Sequence, residues 1–165
     1  MRRLIWTLIN AIALCLLLLT SCSKDDESPV YDFKDQALAG AIEGVSWSYG
    51  DGYASTTGEG ATAKLHVTLV LPSEDEGCDI MPDGDRVFFT LPSNTGVHLL
   101  KFDFNDLEGS RTVTLFDDEE VMNVIATEGA VEITSITETH ITGRIDARAD
   151  EDNFVNGNFS VPLCN

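Results

Sequence analysis

The chain holds 28 acidic residues, three His and four Cys, and these are the groups whose spacing could do chemistry. His66, His98 and His140 stand alone, with no His-x-His or Cys-x-x-Cys spacing, so no zinc site is assigned. Asp79, Asp83 and Asp85 in "DIMPDGD", and Asp146, Asp150, Glu151, Asp152 and Asn153 in "DARADEDN", offer the hard oxygen ligands that calcium prefers. Neither stretch keeps the EF-hand register of acids before a Gly, so both read as solvated turns. Calcium is the one cofactor that the composition leaves open. Paired carboxylates can hydrolyse glycosides, but only when two acids face each other across a cleft about 5 to 9.5 Å wide. The spacing singles out no such pair. Gly-x-Ser-x-Gly, a phosphate loop and a dinucleotide fingerprint are all missing, so no catalytic and no metal residue is assigned.

The cysteines are more informative, beginning with the leader "MRRLIWTLINAIALCLLLLTSC". Arg2 and Arg3 precede an apolar run over 4–19 that falls short of the roughly 20 residues a spanning helix needs. This is the pattern of a secretory signal. "Leu19-Thr20-Ser21-Cys22" at its end resembles the bacterial lipobox, which implies cleavage before Cys22 and a diacylglycerol on its thiol. Acyl chains contribute about 0.8 kcal/mol per buried methylene, so two or three of them anchor a domain without a transmembrane helix. The following "Ser23-Lys24-Asp25-Asp26-Glu27" resembles the acidic export signal of lipoproteins from Bacteroidota. That resemblance implies delivery to the outer face of the outer membrane. The chain then divides into a signal peptide (1–21), a flexible acidic tether (22–35) rich in Ser, Asp and Glu, and a domain (36–165).

With Cys15 removed in the leader and Cys22 lipidated, Cys78 and Cys164 remain in an oxidising compartment and are expected to pair. Cys164 is out of phase with the inward Leu163 and Cys78 lies in a polar loop, so the bond should staple a sheet end. In the chain-entropy model a closure of this span contributes roughly 4 kcal/mol. The other reading, a reactive thiol, needs a neighbouring base. The sequence places no His beside either cysteine.

The elements that position these groups are strands. In "AKLHVTLVL" (63–71), Leu65, Val67, Leu69 and Leu71 alternate with Lys64, His66 and Thr68, the two-residue period of a half-buried strand. Similar runs recur through "RVFFTLP", "GVHLLKF", "RTVTLF", "VMNVIAT", "GAVEITSI", "HITGRIDARA" and "NGNFSVPL", separated by Gly, Pro, Asn and Asp. The pattern predicts an all-β domain, an antiparallel β-sandwich or partly closed barrel of about 8–10 short strands. A helical turn is expected at most over 105–110 or 117–121. His66 and His98 lie opposite apolar stripes and read as surface residues.

The last third predicts a meander. Val131 and Ile133 lead to a turn, Ile141, Ile145, Ala147 and Ala149 face the core opposite Arg144, Asp146 and Arg148, and Phe159, Val161 and Leu163 form a third strand. This ending, together with "Gly40-Ala-Ile42-Glu-Gly44-Val-Ser-Trp47", resembles a large group of uncharacterised Bacteroidota lipoproteins with β-sandwich-like domains. Its motifs describe strands and turns, and a shared fold carries no function with it.

Partners are bounded by charge. Ten basic residues against 28 acidic ones, a net charge of −18, exclude nucleic acid, whose phosphates need clustered cations. The bilayer is reached through the acyl anchor. Val45, Trp47 and Tyr49 share one strand face and read as an inward stripe. Tyr53, beyond the Gly50–Gly52 turn, is the exposed ring offered for ligand contact. Two functions remain: a surface binding or accessory module for a glycan, peptide or partner protein, and a surface hydrolase using two carboxylates. The module is favoured because no catalytic signature is present.

Overall fold

A computed structural model describes residues 31–74 and 77–164. The expected lipidation site Cys22 and export residues Ser23, Lys24, Asp25, Asp26 and Glu27 lie outside them.

The alternating runs become eleven strands: β1 (Ala39–Ile42), β2 (Val45–Ser48), β3 (Asp51–Thr57), β4 (Lys64–Val70), β5 (Arg86–Pro92), β6 (Gly96–Leu99), β7 (Val113–Asp117), β8 (Met122–Ala126), β9 (Glu128–Ile136), β10 (His140–Arg148) and β11 (Phe154–Cys164). The count exceeds the expected 8–10 because 39–57 breaks into three strands. Glu43 (φ 49°) and Gly44 (φ 74°) form the left-handed two-residue turn between β1 and β2, the turn whose twist matches flanking strands. Among the described residues, helical structure is confined to 3-10 turns at Gly60–Thr62 and Gly77–Asp79. Residues 105–110 and 117–121 form turns instead.

Antiparallel pairing builds two sheets, β6-β9-β10-β11-β1-β2 and β3-β4-β5-β7-β8. They join where the end of the eleven-residue β11 outruns β10 and pairs with β3 through Leu163–Ala54 and Cys164–Ser55. That pairing is parallel, a departure from the all-antiparallel expectation. Together the strands curl into a half-barrel around one core. Leu65, Val67, Leu69, Ile141, Ile145, Ala147 and Val161 are fully buried in it, as their alternation predicts. Phe89 and Phe159 meet edge to face across the core at 6.0 Å.

The Cys78–Cys164 disulfide fastens the 3-10 turn at 77–79 to the end of β11, closing a separation of 86 residues. It sits at a sheet end, as the polar setting of Cys78 indicates.

Four expectations are corrected. His98 is not on the surface but 7 % exposed, because β6 docks against β9 with His98 opposite the fully buried Val131. Its Nε2 lies 3.2 Å from the Asn94 carbonyl, which provides the polar partner that burial requires. Val97 and Leu99 point outward in its place. Val45 does not join the inward stripe: it stands beside the β1–β2 turn and is 63 % exposed, whereas Trp47 is buried and donates its indole N–H to the Asp85 carbonyl.

The third correction concerns Asp146, expected to face solvent but 1 % exposed. The fourth explains it. Residues 31–35, expected in the tether, form a strap across the outer face of β10 and β11. Asp32 N–H donates to Asp146 Oδ2 at 2.7 Å, Lys34 N–H to Asn156 Oδ1 at 2.9 Å, and Asn156 Nδ2 to the Asp32 carbonyl at 2.9 Å. Arg148 Nη1 reaches both Asp146 oxygens, at 2.9 and 3.0 Å. Arg144 lies over the Phe33 ring, 4.6 Å from its centroid, and also pairs with Glu132. Gly157 (φ 140°) lets the chain just after the strap approach β11: a Cβ there would come within 2.7 Å of the Ala37 carbonyl oxygen.

Candidate ligand-binding face

The outer face of the second sheet gathers side chains that the sequence leaves scattered. Cross-strand register sets Tyr53 opposite Thr68, Thr68 opposite Phe88, Phe88 opposite Thr114 and Thr114 opposite Ile125. A neighbouring row holds Ser55, His66 and Thr90. Strands lie about 4.8 Å apart, so the half-buried Tyr53 and Phe88 rings project from points about 10 Å apart, with a hydroxyl between them. Tyr53 is on this outer face, as expected, though half-buried rather than fully exposed.

His66 is held between hydroxyls, with Nε2 2.8 Å from Thr57 Oγ1 and Nδ1 2.9 Å from Thr90 Oγ1. Both ring nitrogens are engaged, so the imidazole fixes two hydroxyls in place on the sheet surface.

One wall of the face is the loop between β6 and β7. Lys101 and Arg111 exchange two backbone hydrogen bonds of 2.8 Å, closing its neck. Asp103 N–H donates to Ser110 Oγ and Gly109 N–H to Asp106 Oδ1, each at 2.9 Å, which orders the loop from within. Phe102 and Leu107 are thereby carried against Phe88, Thr90, Thr112 and Thr114, enclosing a groove of about 260 Å³. It opens onto a broader depression of about 630 Å³ that shares Thr90, Leu107 and Ser110 and has Lys64 and Glu108 on its rim. Phe104, 85 % exposed, stacks edge-on against Phe102 at 4.6 Å.

The electrostatics set this face apart. The chain is strongly acidic, yet Asp51 and Asp117 are the only acids in β3, β4, β5 and β7. Both lie at the sheet end where β3 begins and β7 finishes. The groove is lined by hydroxyls and aromatic rings and carries no formal charge. It can offer hydrogen bonds and ring faces to a neutral ligand.

Several of the other candidates are engaged structurally. Among the described residues, no group of three or more His, Cys, Asp and Glu is placed so that it could hold a metal ion. Asp83 Oδ1 accepts from Gly84 N–H, Asp85 Oδ1 from Asp118 N–H, and Asp150 Oδ1 from Asp152 N–H and the Asn153 amide. His140 is exposed beside Thr139. Tyr49 donates its hydroxyl to the Ser160 carbonyl. Burial, aided by the charge of Asp51, raises its pKa above the ordinary 10.0, so it stays a protonated donor.

Phe88, Thr90, Phe102, Leu107 and Ser110 escape sequence reading. Phe88 did leave a trace: in "RVFFTLP" it is the aromatic out of phase with the buried Val87, Phe89 and Leu91. No family model matches the chain, and no curated protein or solved structure does so either.

Proposed function

We propose that the chain is a lipid-anchored protein of the bacterial outer surface whose β domain binds a neutral, hydroxyl-rich ligand, a glycan chain, in the groove of its second sheet. The observation that carries this reading is the uncharged, ring-and-hydroxyl groove on a chain of net charge −18. A glycan offers apolar ring faces to Phe88 and Phe102 and hydroxyls to Thr90, Ser110 and Thr114. An extended peptide suits the groove less well. The backbone groups of β4 and β5 already pair on both sides, so a peptide cannot be added there as a strand.

The anchor is read from "LTSC" and "SKDDE". The described residues begin at the strap on the outer face of the first sheet, while the groove lies on the outer face of the second. No helix among the described residues is long and apolar enough to cross a membrane.

The test is titration of the purified protein with a panel of neutral and acidic glycans. Neutral members should bind, with amide shifts confined to β4, β5, β7 and the 102–110 loop. Phe102→Ala and Thr90→Ala, both at exposed positions, should each weaken binding roughly tenfold. Binding that ignores both substitutions, or no binding by any neutral member, would overturn the proposal.

A further inference from the structure

The second sheet ends on β8, and no strand among the described residues pairs with its outer edge. Natural proteins guard such edges with Lys, Pro, inward charges or bulges, because unpaired N–H and C=O groups template further pairing. The β8 sequence Met-Asn-Val-Ile-Ala has no Lys, Pro or charge, and its pairing with β7 runs without a bulge. Apolar side chains are exposed on both faces of this edge strand: Met122 and Ile125, on opposite faces, are each 41 % exposed and the preceding Val121 76 %. The free edges of the first sheet, β2 and β6, are shorter, at four residues each.

Acids bracket this edge. Glu119 and Glu120 stand exposed just before β8 and Glu128 stands exposed just after it. We propose that β8 is a docking edge for an extended segment of a partner protein, apolar at its centre and rich in Lys or Arg at its flanks. The segment adds as a further strand, its backbone bonding to β8 and its flanking cations meeting the acids. Charge also decides against a second copy of this chain. Antiparallel self-pairing centred on Val124 would bring Glu120 of each copy toward Glu128 of the other, and like charges set opposite each other repel.

The test uses the full-length protein and two synthetic peptides that share an alternating Thr-Val core, one flanked by paired lysines and the other by paired glutamates. The lysine-flanked peptide should bind and slow amide exchange at Met122–Ala126, and the glutamate-flanked one should not. Raising the salt, or introducing Glu119→Gln with Glu120→Gln, should weaken binding roughly tenfold. Ile125→Lys, which supplies the missing edge guard at an exposed position, should abolish it while circular dichroism and melting temperature stay unchanged. Equal binding of both peptides, protection elsewhere than β8, absence of binding, or protection of β8 by self-association alone would each overturn the proposal.

Discussion

Asp146 shows how a residue's role depends on what covers it. Its place in the alternation of β10 is outward, opposite Ile145 and Ala147, and the strap then buries it against Arg148 and the Asp32 N–H. Asp146→Ala should leave that amide and the Arg148 head without their carboxylate. Because Arg148 is 39 % exposed, water recovers part of the loss, and the expected cost is about 2 kcal/mol, read as a lower urea midpoint. An unchanged midpoint would mean that the strap contributes nothing to stability. His98 carries the same lesson in reverse. A polar residue between apolar neighbours reads as outward, but an edge strand has only one packed face and tertiary docking selects which side fills it. On this face the outward Tyr53 and His66 were legible in the sequence, but neither lines the groove. Phe88, Thr90 and Phe102 were not legible, since an outward ring or hydroxyl gains meaning only from the neighbours that register and loop closure bring to it.

At the scale of elements the sequence was far more legible. The β9–β10–β11 meander follows its alternation closely, because each strand has one buried face and a shift of one residue would expose its whole apolar set. Less legible was the long reach of β11. Its last residues pair with β3 across only two positions, and Cys78–Cys164 ties that end of β11 to the 77–79 turn. Replacing both cysteines with Ala should lower stability by roughly 3–4 kcal/mol, measured by urea unfolding. The midpoint should fall, and the amides of Leu163 and Ala54 should exchange faster than those of the meander. Uniform acceleration across the domain would show that the bond acts only on the unfolded chain. The break between β1 and β2 was also hidden, because each piece is only four residues long, whereas the glycines before Tyr53 did mark a turn.

For the whole molecule, charge is the organising fact. The acids crowd the turns and leave the second sheet's outer surface nearly free of them, so a repulsive coat surrounds one neutral face. If the lipobox reading holds, Cys22→Ala should lose labelled fatty acid and partition into the soluble fraction. Protease shaving of intact cells should remove the wild-type domain but spare a variant with Lys24, Asp25, Asp26 and Glu27 changed to Ala. Retained label in Cys22→Ala, or equal shaving of both proteins, contradicts the respective signal. The sequence by itself determined the all-β class, the inward faces of most strands and the cysteine pair. Each follows from local periodicity or from counting, and neither depends on distant contacts. Only the tertiary structure decided where the strap lies, which edges stay open, and that Tyr53, His66, Phe88 and Phe102 share one face. Those relations join residues far apart in the chain, and they are set by strand order and register, to which a linear pattern of apolar and polar residues is blind.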